Sequence, residues 1–253
     1  MYGLGRCGVS LCRRIIADLN WRFPSLIYLS AWVILLAITF SLYEPKREAV
    51  DSRLNSADST KAKLPIEVLA MIYAITLFYI ITFYAIPVQL PFYLQDISNA
   101  SASASGLAIA SPTLASSIAS LRYGFVTKQR SLVSVVIVAF AIAAVGYFII
   151  GFANSYNVVL IGLIIAGLGV GLVMPNLNIW LSSLVDNRSR GKALGGLTTS
   201  FFLGQFLSPI VSQPITNAVG LGKTYFLIGV ALLAMSGIFL ALKKQVKIMC
   251  QEC

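Results

Sequence analysis

Residues 132–152 read LVSVVIVAFAIAAVGYFIIGF without one charged side chain, and Arg122, Lys128 and Arg130 crowd the connection just before them. As a helix, an apolar run of about 20 residues matches a hydrocarbon core of about 30 Å. The run is continuously apolar instead of alternating, which fits a helix and not a strand of a membrane barrel. Comparable stretches surround it at 24–42, 65–94, 100–121, 158–184, 193–216 and 224–242. The chain therefore reads as all-α, a polytopic membrane helix bundle of about seven spans.

Basic residues fall in alternate gaps. The first gap holds Lys46, Arg47, Arg53, Lys61 and Lys63, and the second holds none. The third has Arg122, Lys128 and Arg130, the fourth none, the fifth Arg188, Arg190 and Lys192, and the sixth only Lys223. Lys243, Lys244 and Lys247 follow the last stretch. Cytoplasmic loops retain Lys and Arg where translocated loops lose them, so this cadence puts the C-terminus in the cytoplasm and the chain in the cell (inner) membrane. Only 1–23 breaks it. Arg6, Arg13 and Arg14 fall on the outer side by extrapolation, and the segment lacks a signal peptide's apolar core and cleavage site. The expected organisation is a degenerate leader over 1–23, a single span over 24–42 and a solvated linker over 43–64. A six-helix bundle over 65–242 and a cytoplasmic tail over 243–253 complete it.

Composition narrows the function. Of the 253 residues, 58% are hydrophobic and 11% charged, and the mean hydropathy is +0.84. That inventory cannot clothe a water-facing domain, which needs about 25% charged residues. The net charge of +10 is dispersed between apolar runs, which points to lipid headgroups and away from nucleic acid. Histidine is absent, and the cysteines, Cys7, Cys12, Cys250 and Cys253, lie only at the ends. The terminal Cys-x-x-Cys reads as reduced cytoplasmic thiols, with a metal half-site or redox pair the sharper alternative. No cofactor or metal site is expected, and no nucleophile–base pair supports an enzyme.

The stretch 100–120, ASASASGLAIASPTLASSIAS, admits two readings. It is a Ser/Ala-rich linker, or a span whose small residues allow close helix approach. The charge cadence favours the span. Across the last six stretches runs a short internal echo. Tyr84-Ala-Ile-Pro87-Val-Gln89-Leu90 closes one helix and Gly171-Leu-Val-Met-Pro175-Asn176-Leu177 another. About twenty residues after each come Ser105-Gly106-Leu107 and Gly195-Gly196-Leu197. Three helices followed by three similar ones is the inverted 3+3 repeat plan of secondary transporters.

The segment from Arg188 through Arg190, Gly191 and Lys192 to Gly195-Gly196, running into Gly204-Gln205-Phe206 and Pro209, resembles the loop and eleventh helix of major facilitator superfamily transporters. It looks most like their multidrug-efflux-like permeases, a group that includes antiporters. Gly167-Leu-Gly169-Val-Gly171 leading to Pro175-Asn176 is similar to the tenth helix, and Tyr84 to Pro91 to the seventh. Asp18 to Pro24 resembles the entry to the sixth. The resemblance implies the C-terminal half of the fold, helices six to twelve. It departs at 122–130, where the family's loop carries an acid and this one carries none.

Substrate sites in this architecture sit near the bilayer midplane, where Gly or Pro breaks helices. The candidates are Gln89, Asn176, Asn178 and Gln205, with aromatic walls from Tyr84, Trp180, Tyr79 and Phe202. Each amide reads equally as an interhelical hydrogen bond, and each aromatic as packing. Gating or close packing falls to Pro87, Gly167, Gly169, Gly171, Pro175, Gly204 and Pro209. The glycines of 167–171 are expected to line one flank. Arg122, Arg130, Arg188 and Arg190 mark the cytoplasmic loops. Buried carboxylates normally carry proton coupling, yet Glu67, Asp96 and Asp186 all lie at span ends. Proton coupling would then come through a missing N-terminal half. The expected function is secondary active transport of small amphipathic or drug-like molecules. A truncated, non-transporting fragment or a half-unit needing a partner half is the alternative.

Overall fold

A computed structural model describes residues 66–128 and 131–249, preceded by isolated helical positions at Trp32, Leu35, Leu36, Ile38 and Thr39. The expected leader, the linker over 43–64 and Arg130 lie outside the described residues, as does most of the first span. The described chain is helical throughout. Its helices are α1 (Ile66–Ser98), α2 (Ala102–Leu121), the short α3 (Tyr123–Thr127), α4 (Leu132–Gly151), α5 (Tyr156–Leu184), α6 (Asn187–Val219) and α7 (Leu221–Met249). All except α3 are long and apolar enough to cross a membrane.

The ambiguous stretch 100–120 is a helix. Ser101 caps it by accepting from the Ala104 N–H at 3.3 Å. Pro112, inside α2, has no N–H to give the Ala108 carbonyl. The Ser111 hydroxyl donates to that carbonyl instead, at 2.8 Å. A proline that would break a helix in isolation is thereby accommodated. Several helices also outrun their apolar cores. The first turns of α6 include Arg190 and Lys192, which the sequence pattern had placed in a loop, and α7 continues to Met249.

Cross-helix contacts fix the directions. Tyr73 meets Ala193 and Ser208 meets Ile81, so α1 and α6 run parallel. Likewise α2 and α5 are parallel, joined from Tyr156–Ala104 to Gly171–Ser116. The pair α4 and α7 is antiparallel, from Gly151–Gly222 to Ile137–Ser236. Exchanging the triplet α1, α2, α4 with α5, α6, α7 swaps the first two pairs and maps the third onto itself. The echo around Pro87 and Pro175 falls on the matched helices α1 and α5.

One contact departs from this symmetry. The α4–α5 interface is extensive, whereas its counterpart, α1 with α7, is slight. Side-chain size accounts for the difference. A Cβ on Gly162 would lie 2.8 Å from the Gly146 carbonyl oxygen, and one on Gly169 2.5 Å from that of Ala139. Such hydrogen-sized positions let helices close in. Between α1 and α7 stand the rings of Tyr93 and Tyr225, 5.4 Å apart, with Tyr147 behind them. Rings hold the two backbones apart.

Candidate functional site

Most buried tyrosines in the bundle are committed to backbone carbonyls on other helices. Tyr73 donates to Ala193 at 2.9 Å, Tyr93 to Ile150 at 2.8 Å, Tyr147 to Thr82 at 2.7 Å and Tyr156 to Ala104 at 2.9 Å. Tyr79 reaches Val170 more loosely, at 3.4 Å. A hydroxyl in a water-poor interior must find such an acceptor. Two tyrosines are different. The Tyr225 hydroxyl is buried among rings without a hydrogen-bond partner among the described residues. Tyr84 is half-buried near the middle of α1, and its hydroxyl too has no hydrogen-bond partner among the described residues.

Around Tyr84 the rings form a chain across α1 and α6. Tyr79 stacks on Phe83 at 6.3 Å, and Phe83 meets Tyr84 edge-on at 5.8 Å. Tyr84 meets Phe201 at 6.4 Å, and Phe201 meets the exposed Phe202 at 5.6 Å, both edge-on. Residues four apart on a helix stand one above the other, so Gln205 lies a turn beyond Phe201 on the same face of α6. It too is half-buried, and its amide has no partner among the described residues. Two prolines add acceptors nearby. Pro87 gives no N–H to the Phe83 carbonyl, and Pro209 gives none to that of Gln205. Gly204 presses its backbone toward α1, where a Cβ would lie 2.9 Å from the Leu77 carbonyl oxygen. The result is a corner of rings, one hydroxyl and one amide at mid-depth.

The remaining amides are engaged. Gln89 is buried on α1, and its Nε2 donates to Ser212 Oγ at 3.3 Å and Gln213 Oε1 at 3.2 Å, both on α6. Asn176 is fully buried. Its Oδ1 accepts from Tyr123 at 2.7 Å while its Nδ2 donates to the Leu132 carbonyl at 3.0 Å. Asn178 donates within α5, to Met174 at 2.9 Å, and stays half-buried. Trp180 is 1% exposed and packs wholly inside the core. Thus Tyr84 and Gln205 both neighbour Phe201, whereas Gln89, Asn176 and Trp180 lie inside helix contacts. Phe83 and Phe201 were missed by sequence reasoning. The fourfold spacing of Phe201 and Gln205 was the signal that could have found them.

No curated protein matches the sequence. The family profile described as the Major Facilitator Superfamily matches residues 7–209 and 72–247. The chain belongs to that superfamily. Among solved structures, the human organic anion transporter MFSD10 (TETRAN) is similar with a TM-score of 0.60 and 17% identity. That match covers 69% of this chain and 41% of the transporter. A peptide transporter POT variant in complex with sulfate is similar at a TM-score of 0.58 and 16% identity, over 70% of this chain and 38% of that one. The chain thus spans about two fifths of the length of these neighbours, and identities this low establish shared fold alone.

In this superfamily member the glycines of α5 serve two neighbours, not one flank. A Cβ on Gly167 would lie 2.7 Å from Pro112 Cα, and one on Gly171 2.6 Å from Ser116 Cα, both on α2. Gly169 faces Ala139 and Ala143 on α4. Helical rotation of about 100° per residue puts positions four apart together and positions two apart on opposite sides. Pro175 lies inside α5, one residue before Asn176. At the end of the bundle where α2 closes, Arg122 is exposed and its backbone N–H donates to Ile118 at 3.1 Å. The Arg190 guanidinium reaches back to the Ser182 carbonyl at 3.3 Å, tying α6 to the end of α5. Arg188 lies in the first turn of α6. Burial pushes the Tyr123 phenol above its ordinary pKa, so it stays a donor to Asn176.

Proposed function

We propose that the chain acts in secondary active transport, moving small amphipathic molecules across the cell membrane. The six spans form the C-terminal bundle of a two-bundle permease, with the basic connections and the C-terminus cytoplasmic. The observation that carries this reading is the corner of Tyr84 and Gln205. Uncommitted polar groups are costly at membrane depth unless a ligand, water or partner meets them. These two lie among rings, on helices that run unbroken through Pro87 and Pro209, residues that weaken a helix where transporter sites form. Contact with solute falls to Tyr84, Phe201, Phe202 and Gln205, with Asn178 at the margin. Gln89, Asn176 and Trp180 hold the bundle in shape. The glycines at 167, 169 and 171 set its helix spacing, and Pro87, Pro175 and Pro209 mark where helices bend during gating.

The described spans offer no acidic residue at mid-depth, so proton coupling, if this permease uses it, draws on a carboxylate in an N-terminal bundle. A second reading is a half-unit that transports only when a separate bundle joins it. It is favoured by α6, whose apolar stretch is largely exposed, with Phe202, Leu203, Phe206 and Ile210 uncovered. Proteoliposomes test both. Under an imposed proton gradient, fluorescent amphipathic solutes should move only when an N-terminal bundle is fused to this chain on the first reading, and also when that bundle is added as a separate chain on the second. Absence of gradient-dependent flux of every solute in both preparations would reject transport.

A further inference from the structure

From the chemistry of the Tyr84–Gln205 corner, we infer that this site takes an uncharged, ring-bearing ligand with hydrogen-bonding groups, and discriminates against ions of either sign. This rests on the transport reading and narrows its substrate class.

The argument starts from what the corner lacks. Charged residues in the six spans fall at the helix ends: Glu67 and Asp96 in α1, Arg188, Arg190 and Lys192 in α6, Lys223 and the tail lysines in α7, with none in α2, α4 or α5. An ion brought to mid-depth against this surface would be stripped of water with no countercharge to meet it, which is costly. Helix N-termini, the other common source of positive potential, lie at the ends of these long helices and not beside Tyr84.

Rings attract cations through their negative faces, so aromatic lining would ordinarily favour a positive ligand. Here that surface is partly covered. Phe83 and Tyr84 cross at 83°, Tyr84 and Phe201 at 87°, and Phe201 and Phe202 at 81°. A T-shaped contact sets the positive edge of one ring against one face of its neighbour, and the ring surface left open offsets only part of the cost of a cation stripped of water. The polar groups of the corner are neutral: the Tyr84 hydroxyl and the Gln205 amide serve as donors and acceptors beside ring surface for an apolar body. A flat apolar body bearing hydroxyl or amide groups answers every part of that set.

The test uses matched fluorescent probes that differ only in charge: methylumbelliferyl glucoside, the corresponding glucuronide as anion, and the aminodeoxyglucoside as cation. Equilibrium dialysis of the full chain in nanodiscs, against empty nanodiscs, gives the retention of each. The glucoside is expected to bind at least about tenfold more tightly than either ion, the penalty expected for an unpaired charge at depth. In Tyr84→Phe/Gln205→Leu that preference should collapse through weaker glucoside binding. Equal or tighter binding of an ion overturns the inference, as does retention of no probe above empty nanodiscs. The transport reading fails separately: binding in the expected order without flux rejects transport alone, and flux with ions bound as tightly as the glucoside rejects only the inference.

Discussion

Asn176 accepts a hydrogen bond from Tyr123 at 2.7 Å, across 53 positions of sequence, and so ties the short helix α3 to the last third of α5. Its Nδ2 simultaneously holds the Leu132 carbonyl at the start of α4. One amide thus fixes three elements where the connection between α2 and α4 turns. This connection is also where the superfamily resemblance departs, because it carries positive residues and no acid. A neutral hydrogen-bond node stands at the start of this connection.

Replacing Asn176 with Leu removes both bonds and leaves the Tyr123 hydroxyl and the Leu132 carbonyl without their partner. Each unsatisfied group costs about 1–3 kcal/mol. Thermal unfolding in mild detergent should show Asn176→Leu destabilised more than Tyr123→Phe, which removes one bond and keeps the other. Equal effects would mean that the node is not shared.

The same phenol gives a pH dependence. Its folded-state pKa lies above the ordinary value of 10.0 because burial disfavours the phenolate. A raised pKa contributes stability that is complete below the unfolded value and is lost as pH climbs through the folded one. The stability difference between wild type and Tyr123→Phe should therefore stay constant across neutral pH and shrink only above about pH 10. Shrinkage already near neutrality would refute the assignment.

Glycines on α5 and α6 separate packing from open surface. Gly171→Ala drives a methyl group to 2.6 Å from Ser116 Cα, so α2 and α5 must part. Overpacking of this kind costs about 1–3 kcal/mol. Gly195, with nothing within 4 Å of a built Cβ, is the control. Gly195→Ala should be neutral or stabilising by up to about 1 kcal/mol, the usual gain for Ala over Gly in a helix. Unfolding midpoints of the two variants decide the matter.

Gln89 predicts a smaller effect. Its two bonds to Ser212 and Gln213 staple α1 to α6, and interhelical bonds in membranes average about 0.6 kcal/mol each. Gln89→Leu should lower stability by about 1 kcal/mol, while binding at Tyr84 and Gln205 persists. Loss of ligand binding at full stability would instead move Gln89 into the site.

Much of the fold was legible because apolar length and charge placement answer directly to the bilayer. Spans over 132–152 and 65–94 needed no knowledge of neighbours, and the cadence even resolved the weakly apolar α2. Helix ends were less legible, as Arg190 and Lys192 show, because a helix continues past the hydrocarbon boundary while charge marks only the boundary. The site was harder still. Asn176 and Gln205 look alike in sequence, each an amide beside a Gly or Pro, yet distant partners engage one and leave the other open. Those partners are a tyrosine 53 positions away and a backbone carbonyl, and a carbonyl acceptor leaves no trace in residue identity. The Gly167, Gly169 and Gly171 set, by contrast, was decidable from helical rotation alone.

The central claim is that solute rests on Tyr84 and Gln205. Its most direct test is gradient-driven flux in proteoliposomes by wild type and Tyr84→Phe/Gln205→Leu, read beside their unfolding midpoints. Two lost hydrogen bonds of about 1 kcal/mol each should lower flux by about tenfold or more with the midpoint unchanged. Undiminished flux, or a fall only in proportion to lost stability, would contradict the account.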